Sequence, residues 1–197
     1  MCGEVSHFPT FPLLTFINLE LMENDKLPRG IRNNNPLNIR YVERNNWKGR
    51  TDINTDGEFE QFISLEWGIR AAFVLIHNYI YIYSQKTIQA IVSRWAPWDD
   101  NNNPESYAHR VAREIGGTPN TKPDFRDMFL MVAIVRAMIK VECGVRVDDE
   151  TIVRGYTMAM VDMGLKALNC HECNANNMLW TLYKVTRKEY GKVKSEE

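Results

Sequence analysis

The sequence predicts an α+β fold, mostly helical, with a small antiparallel β-lobe. Beyond residue 64, apolar residues recur every three or four positions over most of the chain, the period of helices with one buried face. Between residues 37 and 63 the pattern changes. Leu37, Ile39 and Tyr41 alternate with polar neighbours, as in a half-buried strand, and a polar, glycine-bearing loop leads to a returning strand over 59–63. A length of 197 residues, 44% hydrophobic, suits one domain with a proper core, or one domain with an appendage.

Taken in order, Phe11 to Met22 form a short helix that Pro28-Arg29-Gly30 breaks. Leu37, Ile39 and Tyr41 make the first strand and Phe59 to Ile63 the returning one. Ser64 caps a helix over about 65–83, with Glu66 in its first turn and Leu65, Ile69, Phe73, Ile76, Ile80 and Tyr83 on its inner face. A second helix starts near Thr87 and stops at Pro97. Asn103 caps a third, with Pro104 at its first position and Gly116-Gly117 at its end. Asp124 opens the most apolar helix, closed by Gly144, and Asp148 or Asp149 starts the next. The segment 165–183 turns helical at its far end. Three regions result: an N-terminal extension over 1–28, a central domain over 29–144, and a C-terminal helical extension over 145–197.

Composition excludes several classes. The formal net charge of −1 gives no global pull toward nucleic acid or anionic membrane. No apolar run is long enough to span a bilayer, and no basic segment with a cleavage site marks a secretory signal. Four cysteines are too few for a disulfide scaffold and imply reduced thiols. The expected location is the cytoplasm of the producing cell, or a virion. Cys170-His171-Glu172-Cys173 lacks the second ligand pair that a structural zinc site needs, so neither metal nor cofactor is expected. Phosphate loops, serine-hydrolase elbows and zinc-protease helices are missing.

The densest stretch lies at residues 29–71. It contains Arg29-Gly30-Ile31-Arg32-Asn33-Asn34-Asn35-Pro36, then Asn38-Ile39-Arg40-Tyr41, Trp47-Lys48-Gly49, Phe59 with Phe62, and Gly68-Ile69-Arg70-Ala71. With Arg94-Trp95-Ala96-Pro97, Asn103-Pro104 and Tyr107, this stretch resembles a family of phage and prophage virion proteins over about residues 29–118. More distantly, Asn34-Asn35, Ile39-Arg40, Trp47-Lys48-Gly49, Phe59 to Phe62 and Ser64 are similar to the cell-wall glucosaminidases. That second resemblance implies a lysozyme-like fold and cleavage of peptidoglycan glycan strands. The glucosaminidases place their general acid upstream of the asparagines in a Glu-Ser or Glu-Thr context. Only Glu20 or Glu23 stands there in this chain.

Glycoside cleavage needs an acid to protonate the leaving oxygen, and usually a second carboxylate. Glu66, flanked by Leu65 and Trp67, is the candidate acid, and Asp56 the stabilising carboxylate. The plain alternatives are a helix-dipole residue for Glu66 and a turn carboxylate for Asp56. Glu20 replaces Glu66 if the N-terminal segment folds over the cleft. Asn34, Asn35 and Asn38 offer amides to sugar hydroxyls, Trp47 a stacking face, and Tyr41 and Arg70 complete the candidate substrate-binding set. For Arg70 the plain alternative is a salt bridge to Asp56 or Glu66. Glu60 reads as an exposed strand residue. The expected function is a phage-type peptidoglycan hydrolase, whether muramidase, glucosaminidase or lytic transglycosylase. The alternative is a non-catalytic virion or peptidoglycan-binding protein that keeps the cleft. The expected partners are glycan strands and other virion proteins.

Overall fold

The computed structural model describes residues 26–98, 103–168 and 178–196. Among them are seven helices: α1 (Arg29–Arg32), α2 (Leu65–Tyr81), α3 (Ile88–Trp95), α4 (Pro104–Glu114), α5 (Met128–Cys143), α6 (Asp149–Asp162) and α7 (Met178–Glu196). Their starts follow the local chemistry. Thr87, Asn103, Asp127 and Asp148 each accept a first-turn backbone N–H, satisfying a donor that the helix itself leaves open. Gly144 closes α5 at φ +69°, a conformation that costs glycine little.

Some boundaries differ from expectation. Ser64 stands at the N-cap of α2, but its side chain makes no capping bond. That helix stops at Tyr81, and Tyr83 lies exposed beyond it instead of on the inner face. Asp124 closes a turn onto the Arg126 and Asp127 amides, so α5 begins after Asp127 instead.

The core centres on the packing of α6 against α2, with Phe125, just before α5, between them. Phe73, Phe125 and Tyr156 pack edge-on or tilted, their ring centroids 5.2–6.3 Å apart. The Tyr156 hydroxyl donates to the Phe125 carbonyl at 2.9 Å, so the ring is buried without orphaning its polar end. Helix α6 crosses α2 at Gly155, where an added Cβ would fall 2.6 Å from the Ile69 side chain. Tyr183 of α7 reaches the same core beside Tyr156. The described residues of α6 and α7 therefore share one hydrophobic body with the earlier helices.

The expected β-lobe, and with it the α+β, lysozyme-like layout, is corrected. Among the described residues there are no strands, only two isolated antiparallel bridges, Arg40 with Phe59 and Arg50 with Phe62. The reason lies in Asn35. Its buried side-chain amide donates to the Ile39 and Glu60 carbonyls and accepts the Ile39 N–H, each at 2.9 Å. A side chain thus occupies the place of a neighbouring strand. Asn34 and Asn38, both at φ +51°, turn the chain away before a ladder can extend. The alternation at 37–41 is real, because Leu37 and Ile39 are buried, and Phe62 is buried with them. It reports a loop pinned onto the helices, not a sheet. Glu60 is likewise corrected: it is fully buried, not exposed.

Candidate functional site

The asparagine turn lies directly on α2. A Cβ at Gly68 would collide with the Asn34 carbonyl, so only glycine permits this approach. The turn consumes most of its own amides. Asn34 Nδ2 donates to the Phe62 carbonyl at 2.9 Å, and Asn35 is spent as described. Asn33 bridges Asp56 and Gln61.

Asp56 is a fastening point. Arg29 grips both its oxygens at 2.6 and 2.7 Å, Asn33 adds a third side-chain donor, and the Glu58 and Phe59 amides close the turn. The Arg29 fork, aided by Asn33 and those amides, holds the carboxyl far below the ordinary range against the opposing effect of burial. Glu66 sits half-buried in the first turn of α2. No hydrogen-bonding partner of its carboxylate is found among the described residues, and none of the residues fastening Asp56 contacts it. The two candidate carboxylates are not brought into a shared network. Glu20 lies outside the described residues, as do Glu23, Cys170 and Cys173.

The remaining candidates divide. Arg70 is buried and forked onto Asp162 at 2.6 and 2.9 Å, with Lys48 on the other oxygen at 3.1 Å. Its counter-ion is therefore neither Asp56 nor Glu66. Trp47 packs against the core, with an indole N–H that is buried and meets no acceptor among the described residues. Tyr41 carries the Arg50 guanidinium over its ring at 4.8 Å and bonds it through its hydroxyl. Trp95 donates to the Leu37 carbonyl, whereas Trp98 is exposed.

Asn38 leads to the group that sequence reasoning missed. Its Nδ2 donates at 3.1 Å to Glu142, in the last turn of α5, and the Tyr107 hydroxyl of α4 donates to the other oxygen at 3.0 Å. Burial raises the Glu142 carboxyl above its ordinary value although both donors oppose the shift. Gly30 keeps the site open, since an added Cβ would fall 2.7 Å from Asn38 Oδ1. Beside it, burial pushes the Cys143 thiol up to about 11, so it stays protonated. Glu60 is also raised by burial, but it is sealed from solvent, whereas Glu142 is only half-buried. The sequence did carry a signal: a glutamate in the last turn of the most apolar helix, at the negative end of the macrodipole.

A half-buried carboxyl raised above its ordinary value and held by two neutral donors is suited to give up a proton, with Asn38 and Tyr107 placed to stabilise the anion left behind. Comparison with known proteins adds a phage context. Over 118 residues the chain is 36% identical to Protein P5 of Pseudoalteromonas phage PM2, a match covering 59% of this chain and 71% of that protein. No family model matches. Among the described residues no helix is long and apolar enough to cross a membrane.

Proposed function

Since the chain belongs to the family of Protein P5 of Pseudoalteromonas phage PM2, we propose that it is a virion-associated protein that cleaves the glycan strands of peptidoglycan. The observation that carries this reading is the Asn38–Glu142–Tyr107 constellation. It supplies the raised carboxyl that glycosidic cleavage requires. Asp56, engaged by five donors, is a poor second carboxylate, so single-acid chemistry fits best. In that chemistry Glu142 protonates the glycosidic oxygen and the bond to the anomeric carbon breaks. A hydroxyl of the same sugar then closes onto that carbon and returns its proton to Glu142. No water is consumed. Asn38 and Tyr107 stabilise the transient carboxylate.

The test is release of muropeptides from purified cell walls. Wild-type protein should yield anhydro-sugar ends, lighter by one water than hydrolytic ends, and Glu142→Gln should yield none. Full activity in Glu142→Gln would refute the assignment.

A second reading has its own support. With Asn34, Asn35 and Asp56 spent inside the fold, the chain could bind the wall without cutting it. Sedimentation with insoluble peptidoglycan, without soluble product from the wild-type protein, is the outcome that reading requires.

A further inference from the structure

We propose that the groove between α4 and α5 holds a carboxylate-bearing peptide arm of the wall polymer, an inference that rests on the reading of Glu142 as the site for the glycan. The groove encloses about 340 Å³ and is lined by Arg110, Arg113, Glu114, Ala137, Lys140 and Val141. Its charge is lopsided. Lys140 pairs with Glu114 at 3.2 Å, and the fields of Arg113 and Arg146 reach the same carboxylate. Glu114 is the groove's single anion, facing three cations in the lining with Arg146 close by. Among the described residues Arg110, Arg113 and Arg146 form no ion pair within 4 Å, although Arg113 and Arg146 act on Glu114 at longer range. In a chain of net charge −1 this local excess is not a by-product of overall composition.

The position connects the groove to the chemistry. Arg110 lies one helical turn along α4 from Tyr107, and Val141 precedes Glu142 on α5. Ala137 and Val141 give the lining an apolar patch, suited to small side chains such as alanine. The rim offers guanidinium forks, which match a carboxylate through two parallel hydrogen bonds. Peptidoglycan has that chemistry: short alanine-containing peptides with free carboxylates branch from alternate sugars of the glycan. A glycan seated at Glu142 would send its neighbouring peptide along this groove.

Equilibrium binding of the full chain by calorimetry decides the matter with four probes. They are a disaccharide-tetrapeptide, the same compound with its peptide carboxylates amidated, a peptide-free disaccharide, and a glycerol-phosphate polymer. Amidation should weaken binding about fivefold, the range expected for a partly solvated fork–carboxylate pair. The exposed pair Arg110→Gln/Arg113→Gln, with helicity checked by circular dichroism, should bind free and amidated peptides alike. It should leave the peptide-free disaccharide unchanged. No amidation effect on the wild-type chain overturns the inference, and that arm needs no variant. Binding of the phosphate polymer through the same arginines, without any carboxylate effect, also overturns it. The two readings fail separately. A lost carboxylate effect with intact Glu142-dependent cleavage removes only the groove. An amidation effect alongside full cleavage by Glu142→Gln removes only the catalytic assignment.

Discussion

Arg70 on α2 and Asp162 at the end of α6 form a buried pair, their side chains 9% and 7% exposed, joined by hydrogen bonds of 2.6 and 2.9 Å. Ninety-two positions of sequence separate them. The pair ties the core helix α2 to the last helices, with Lys48 on the other Asp162 oxygen and the Tyr190 hydroxyl near the shared one at 3.4 Å.

Removing one partner should therefore be costly. Asp162→Ala leaves a buried guanidinium without its counter-charge, and stability should fall by about 3 kcal/mol. Urea denaturation of the two single variants and the double variant measures the coupling. The pH dependence has a defined sign. Burial alone would raise the Asp162 carboxyl, but Arg70 and Lys48 outweigh it and the folded value is lowered. Its contribution is thus present above the unfolded carboxylate value and lost as pH falls through the folded one. Asp56, also lowered, adds to the same acid limb.

Glu142 has the opposite sign. Its folded value is raised by burial, so its contribution is complete below the unfolded carboxylate value and is lost as pH rises through the folded one. Glu142→Gln should abolish wall cleavage while making the fold less sensitive to pH across that window. Thermal melts of wild type and variant, taken from acid to neutral pH, check this. Identical pH profiles for the two would show that Glu142 is not a perturbed carboxyl.

Asp56→Asn should separate fastening from chemistry. The variant keeps the shape but loses the charge that Arg29 grips, so the melting temperature should fall, with wall cleavage retained below the melt. A fall in kcat at low temperature with an unchanged melt is the result that would restore Asp56 to a stabilising role at the bond.

Asn35→Ala should be the most damaging change in the loop. It leaves the Ile39 N–H and the Ile39 and Glu60 carbonyls without their amide partner in a buried setting, at a cost of about 3 kcal/mol. Asn35→Asp should be no milder, because a carboxylate oxygen would then face two carbonyls. Chemical denaturation ranks the variants.

The helices were legible because caps and stripes are local. Thr87, Asn103 with Pro104, Asp148 and Gly144 each act within one turn of their own position. The loop was not. Alternation over 37–41 correctly marks Leu37 and Ile39 as inward, but a strand also needs a partner along its edge, and the Asn35 amide takes that place. Glu60 was misjudged for the same reason, since its exposure was inferred from a sheet that does not form. Glu142 escaped notice because its surroundings are built by Asn38 and Tyr107, which lie 104 and 35 positions away. Arg70 invited a salt bridge, but its partner lies on a helix assigned in sequence to an extension.

Pro36 gives the buried amide of Asn35 a second kind of security. Asparagine side chains age by deamidation, which begins when the backbone nitrogen of the following residue attacks the side-chain carbonyl to form a ring. A proline nitrogen carries no hydrogen to lose, and this closes that route at Asn35. Loss of the amide would leave a carboxylate pressed against the Ile39 and Glu60 carbonyls, and the loop would come away from the helices beneath it. The same residue that ends the asparagine run thus protects, against chemical ageing, the one amide on which the loop's attachment depends.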